Sequence, residues 1–373
     1  MKRFLLVLIV LLCAVLIAPV SAQDSTATPE LEAWVCPEGY EGQTLNVYNW
    51  TIYIAEDTIP NFEAACGVDV VYDNYFTNEE LLAKLQQGNP GYDVIVPSDY
   101  MIAIMIEEEL LEPLNKDLIP NIANVSEDML SPWYDEGNVY TMPYQWGTVG
   151  LAYNRTATGR DITSWEEFFN YEGNVAWLED LRGMLGIGLL MSGYDVNSEN
   201  PDEIDAARQY LLEHSGNVAA IVAGNSKQLL SQGEVDIAVD YNGNVFGLMA
   251  ECAADPNCTT EYAYAIPVEG TSRWTDNLAI PVGAQNPTLA NVFIDYILHP
   301  QVSADISNYV TYGTPNQAAL DLGLINPESL ENPNLYPPPE VRANLFQIRP
   351  VSPETEVLYN NAWDELKIAI GAN

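Results

Sequence analysis

Residues 45–72 read LNVYNWTIYIAEDTIPNFEAACGVDVVY, and this stretch decides the fold. Leu45–Asn49 alternates as a strand, Ala55–Cys66 carries helical spacing, and Val68–Tyr72 is a second β-rich run. Thr77 and Glu80 then form a T-x-x-E capping box ahead of a helix at Leu81–Gln87. Asp93–Val96 is a mostly apolar strand stopped by Pro97, and Met101–Glu109 returns as a helix. Such alternation predicts an α/β fold with a mostly parallel sheet covered on both faces.

Further along, Val139–Asn154 is apolar and extended, interrupted by Pro143 and Gly147. Ser164 and Glu167 cap another helix start. A second β/α series follows through Asn174–Leu178, Leu181–Ser192, Pro201–His214, Ser226–Gln232, Val235–Val239 and Tyr262–Pro267. Asn277–Val282 is then a strand and Thr288–Leu298 a helix with Pro300 as its stop. Thr355–Ile370 is a final helix presenting Val357, Leu358, Ala362, Leu366 and Ile370 on one face. The Pro-rich residues 326–339 read as a surface loop. A mature chain of this length exceeds what one core usually supports, so two lobes are expected.

The ends of these strands share a chemistry. Trp50–Thr51, Ser98–Asp99–Tyr100, Asp180, Asp240–Tyr241, and Trp274 with Asp276 all flank predicted strands. In open α/β sheets, ligands sit outside the carboxyl ends of the strands. Rings beside acids suit a small organic cation, held by cation–π faces and charge-assisted hydrogen bonds.

Lys2–Arg3, an apolar run from Phe4 to Ile17, and Val20–Ser21–Ala22 make residues 1–22 a secretory signal peptide. Residues 23–43 form a flexible lead-in. Export places the protein in the periplasm or outside the cell. The formal net charge of −40 argues against nucleic acid and anionic lipid as partners. Four cysteines remain after the signal, Cys36, Cys66, Cys252 and Cys258, and they allow three pairings. Cys252 and Cys258 flank the turn-forming AADPN. The helix ending at Cys66 runs back along the first strand toward Cys36, so Cys36–Cys66 is the expected companion.

No nucleophile elbow, dinucleotide loop or phosphate loop occurs in the chain. His214 and His299 lie at helix boundaries and read as surface or cap residues. A carboxylate pair for glycoside hydrolysis is conceivable among 53 acids, but nothing selects one. The residues point to neither an enzyme, a cofactor nor a metal site.

TLNVYNWTIYI, YDVIVPSDY, MPYQWGTVGLAYN, SWEEFF, TDNLAIP and YGTPNQAA occur in order between about Leu45 and Lys367. Together they resemble the bacterial spermidine/putrescine-binding proteins, substrate-binding components of ABC importers. The resemblance implies a two-lobed periplasmic binding protein fold (type II-like) with the ligand cleft between lobes. Residues 44–148 and 274–314 would form one lobe, and 149–273 and 315–373 the other. It also implies a monomer that hands a small cationic ligand, a polyamine, to a membrane permease.

The ligand-binding residues that the resemblance implies are Trp50, Thr51, Ser98, Tyr100, Asp180, Tyr241, Trp274, Asp276, Tyr312 and Gln347. Asp276 and Asp180 would each face an ammonium. Tyr241 stands where the family has tryptophan. In the run Glu179–Asp180–Leu181–Arg182–Gly183, the last family carboxylate is replaced by Gly183. Glu179 or Asp99 would have to compensate, and Arg182 reads as an ion-pair partner holding Asp180. Other solutes consistent with the same importer role are a sugar, an amino-acid derivative or an iron complex. A secreted hydrolase is the remaining class.

Overall fold

The computed structural model describes residues 31–224 and 226–371. The expected signal peptide and the first eight residues of the lead-in, 23–30, lie outside them. The described end of the lead-in is tied down. Trp34 donates its indole N–H to Asp295 at 2.9 Å and packs against Phe62 and Tyr296.

The first half follows the opening stretch closely. Strand β1 is Thr44–Trp50, helix α1 Thr58–Cys66, β2 Asp69–Tyr75 and α2 Asn78–Gln86. Strand β3 is Val94–Ile95, α3 is Asp99–Glu107 and β4 is Leu111–Glu112. The capping box forms, with Thr77 Oγ1 accepting from the Glu80 N–H at 3.1 Å. Strand β5, Thr141–Asn154, is one continuous strand through Pro143 and Gly147.

The second half begins with the short helices α4, Arg155–Thr158, and α5, Trp165–Phe169. Then come β6 Val175–Leu178, α6 Leu181–Met191, α7 Pro201–Glu213, β7 Val218–Val222 and α8 Ser226–Gln232. Strand β8 is Ile237–Tyr241, α9 Asn242–Ala254, β9 Tyr262–Ala265 and β10 Thr271–Pro281. After it come α10 Pro287–Ile297, α11 Pro300–Val310 and α12 Gln317–Asp321. The chain closes with α13 Pro327–Leu330, α14 Pro339–Arg342, β11 Leu345–Phe346 and α15 Pro353–Ile370.

Among the described residues the main sheet path runs β2-β1-β3-β10-β5-β8-β6-β7. The expected mostly parallel sheet is corrected to a mixed one. β1 pairs in parallel with β2 and β3, and β6 with β7 and β8, but β10 and β5 run antiparallel to their neighbours on this path. These two long strands carry the chain between two groups of packed residues. Phe62, Val94, Met142, Ile280 and Phe293 belong to one core, and Trp165, Trp177, Leu185, Val239 and Trp363 to the other. Each wholly buried large apolar side chain, such as Phe62, contributes roughly 1.5–3 kcal/mol. The fold is therefore two-lobed, with β5 and β10 crossing between the lobes.

A register shift lies between Asp276 and Asn277, opposite Gln145 and Pro143. Proline has no N–H to give a ladder, so an irregular pairing tolerates it where a regular one would not.

Several local expectations change. Pro300 opens α11 as its first residue rather than ending what precedes it, a position where a fixed φ favours the helix. Helix α9 and strand β7 were not expected, because Gly243 and Gly247 break the apolar period of one and the other is only five residues long. The Pro-rich stretch contains α13. In α15 the buried face is Thr355, Tyr359, Ala362, Trp363 and Leu366, whereas Val357 is exposed. Both expected disulfides form, Cys36–Cys66 and Cys252–Cys258, each with a Cα separation of 5.3 Å.

Candidate ligand-binding site

Asp276 is the centre of the site. It lies on β10, 6% exposed, and accepts hydrogen bonds from Ser98 Oγ at 2.6 Å and from the Tyr53 hydroxyl at 2.8 Å. A backbone bridge joins Ser98 to the same residue. Among the described residues no lysine or arginine forms an ion pair with it. Burial pushes its carboxyl up to about 7, against the pull of the two hydroxyl donors.

A series of aromatic rings begins at the tyrosine bonded to this carboxylate. Tyr53 meets Tyr312 edge-on at 5.5 Å, Tyr312 meets Trp274 at 5.0 Å, and Trp274 meets Tyr241 at 6.1 Å. Two glycines make room for them. A Cβ on Gly243 would come within 2.5 Å of the Tyr312 ring, and one on Gly147 within 2.5 Å of the Trp274 ring. Trp50, at the end of β1, is anchored by its indole N–H to the Val96 carbonyl at 2.8 Å and packs on Tyr75 at 4.5 Å. Burial pushes the Tyr241 hydroxyl well up, and the charges of Asp180 and Asp276 add to this.

Asp180 is half-buried and caps α6, accepting from the Gly183 N–H at 2.9 Å. A Cβ at position 183 would stand 2.5 Å from the Asp180 carboxylate, so the glycine and the cap belong together. Burial raises the Asp180 carboxyl, the Gly183 N–H opposes this, and the charge of Glu79 adds to it. Arg182 forms no ion pair with Asp180, contrary to expectation. Its guanidinium lies 4.4 Å over the Tyr359 ring and reaches Asn197 at 3.5 Å. Glu179 is exposed and pairs with Lys367 at 3.9 Å.

Asp99 is buried and receives the Gln347 amide N–H at 3.3 Å. Burial pushes its carboxyl up to about 7, the Tyr100 N–H lowers it, and the charge of Asp276 raises it again. Gln347 thus meets the protein's own acid. Tyr100, half-buried, donates to Glu79 Oε1 at 3.0 Å. Thr51 is exposed beside Ile52, whose φ of 52° is unusual for a branched residue.

The structure therefore groups Ser98, Asp276, Trp274, Tyr312 and Tyr241 around one centre, with Trp50 alongside and Asp180 and Tyr100 acting on its edge. Thr51 and Gln347 stand apart. Sequence reasoning missed Tyr53, although it lies in the quoted stretch two residues after Thr51. It also missed Asn78, read only as part of a helix start, which donates to Ser98 and Tyr100 at 3.1 Å each. Trp274 Nε1 and Asn242 Nδ2 are buried atoms without partners among the described residues, groups that a solute or an ordered water would satisfy.

Comparisons with known proteins identify the family. The family model described as bacterial extracellular solute-binding protein matches residues 58–337. The putrescine-binding periplasmic protein of Pseudomonas aeruginosa is 31% identical over 342 residues, covering 88% of this chain and 92% of that protein. The spermidine/putrescine-binding periplasmic protein of Escherichia coli is 33% identical over 308 residues, covering 82% and 86%. A crystal structure of the spermidine/putrescine ABC transporter substrate-binding protein of Streptococcus pneumoniae superposes with a TM-score of 0.78 at 30% identity, covering 88% of this chain and 100% of that one. The chain belongs to the bacterial extracellular solute-binding protein family.

Proposed function

We propose that this protein is the solute-binding component of an ABC importer, taking a linear amine such as putrescine or spermidine outside the cytoplasmic membrane and delivering it to the permease. One observation carries the reading. Asp276 is a buried carboxylate without a basic partner among the described residues, hydrogen-bonded to Tyr53, whose ring opens the edge-on series Tyr53–Tyr312–Trp274. An ammonium would supply the missing charge, and alkyl carbons would lie along the rings. Each cation–π contact would contribute about 0.5–2 kcal/mol, according to its desolvation. The named relatives support the choice of amine.

Closure would move residues 44–148 and 274–314 against 149–273 and 315–373, about the β5 and β10 crossings. The start of the C-terminal stretch would ride with the first body, because Ala319 packs with Ala304 of α11. The chemistry is binding and release, with no step that makes or breaks a covalent bond.

Thermal-shift measurements against putrescine, spermidine, sugars and ferric salts test the reading. A rise in melting temperature with the amines alone is expected. Stabilisation by a sugar or a ferric salt, and none by an amine, would move the ligand to another class.

A further inference from the structure

Gln145 lies on β5 and is wholly buried, and neither its amide nitrogen nor its amide oxygen meets a partner among the described residues. A buried amide left unpaired costs free energy, and such a group in a native fold calls for a partner that binds there.

Its place in the sheet says what that partner would be. Gln145 is the register partner of Asp276 across the antiparallel β5–β10 pair, and directly opposed residues of such a pair set their side chains on one face. On the other flank of Asp276, Ser98 forms a backbone bridge and donates its hydroxyl to the carboxylate at 2.6 Å. Tyr53 donates as well. A carboxylate has room for about four donors, and a glutamine amide has N–H groups to give. Gln145 nevertheless gives Asp276 none. Two groups that would bond each other stand side by side unbonded, as they would around a third group that binds both.

The same face continues at the neighbouring register pair, Gly147 with Trp274. A Cβ on Gly147 would come within 2.5 Å of both the Trp274 ring and Asn242 Oδ1, so β5, β10 and α9 converge here. Trp274 Nε1 and Asn242 Nδ2 share the condition of Gln145, buried and unpartnered among the described residues.

We propose that Gln145 contacts the ligand: its amide oxygen accepts an N–H of the same ammonium that Asp276 neutralises. The inference rests on the amine reading above. A primary ammonium carries three N–H donors, and a single carboxylate already holding two hydroxyls does not take them all. Gln145 adds a neutral acceptor, so the ligand class it favours is the primary amine.

The test is titration calorimetry with putrescine and ligand-free denaturant unfolding, on wild type and on Gln145→Met, which keeps the length of the side chain and removes both polar atoms. The variant should bind putrescine roughly tenfold to a hundredfold more weakly, the value of a hydrogen bond to a charged group. Without ligand it should be at least as stable as wild type, since it no longer buries an unpaired amide. Combined with Asp276→Asn, the loss should fall short of the two single losses multiplied, because both groups serve one ammonium. Putrescine affinity within about threefold of wild type, a ligand-free variant destabilised in step with its loss of affinity, or losses that multiply fully would each overturn the inference while the amine reading stands. Gln145→Leu repeats the comparison with a second apolar shape, and failure of both variants to fold would make the amide structural and overturn the inference too. Wild type that binds no putrescine overturns the amine reading and this inference with it.

Discussion

Asp276→Asn separates the binding role of this carboxylate from its structural cost, because the two change in opposite directions. The residue is 6% exposed and accepts from Ser98 and Tyr53. Asparagine keeps the shape and removes the charge. In the bound state an ammonium would then be enclosed without a counter-charge. Breaking a fully buried pair costs about 3–5 kcal/mol, and a cleft that exchanges with solvent lowers this to about 2–4 kcal/mol. That corresponds to a loss of roughly thirtyfold to a thousandfold in putrescine affinity.

In the empty protein the sign reverses. The carboxyl is raised from 3.8 to about 7 by burial. An acid raised in this way contributes stability that is complete below its unfolded value and is lost as pH rises through about 7. At about 1.36 kcal/mol per unit, the penalty above that pH is at most about 4 kcal/mol. Asp276→Asn removes it, so the empty variant should be more stable than wild type at pH 8 and nearly equal to it at pH 4. Calorimetric titration and ligand-free denaturant unfolding at both pH values read the two effects. Putrescine affinity within threefold of wild type, or an empty variant less stable at pH 8, would refute the reasoning.

The remaining expectations follow from the same geometry. Asp99 and Asp276 both titrate at about 7, and an ammonium holds both ionised, so amine affinity should rise with pH through that value and binding should release protons. Titrations near pH 7 in two buffers of different ionisation enthalpy would show this, and identical heats would count against it. Gly243→Ala places a methyl 2.5 Å from the Tyr312 ring, which must move off Trp274; amine binding should weaken while far-ultraviolet circular dichroism stays unchanged. Opening Cys36–Cys66, which closes a separation of 30 residues, should cost about 3–4 kcal/mol, read as a lower melting temperature for Cys36→Ser paired with Cys66→Ser.

The parts of this protein that were legible in its sequence are those governed by local rules. The strand–helix–strand of residues 45–72 has period, boundaries and caps in one window, and it appears nearly as read. Thr77 and Ser164 cap the helices that their spacing predicts. The mixed character of the sheet was not legible. Strand direction depends on which strands become neighbours, and β10 joins β3, β4 and β5 across long separations that no local pattern records. The same limit explains the site. Trp274 and Asp276 could be named from a short motif, but one of the two hydroxyls that meet Asp276 comes from Tyr53, 223 residues away. Most of the rings and acids that the structure groups about Asp276 were named, Tyr53 excepted; the side chain that directs others, Asn78, was not. Asn78 is the clearest case, since an asparagine at a helix start satisfies the local reading completely. Only the fold reveals that its two hydrogens leave Ser98 and Tyr100 no choice but to donate to carboxylates. Gly183 shows the converse. As a letter it is a missing acid, yet in the structure its lack of a side chain is what lets Asp180 turn back to cap α6. The charge distribution of the cleft is thus set by a glycine and an asparagine as much as by the acids themselves.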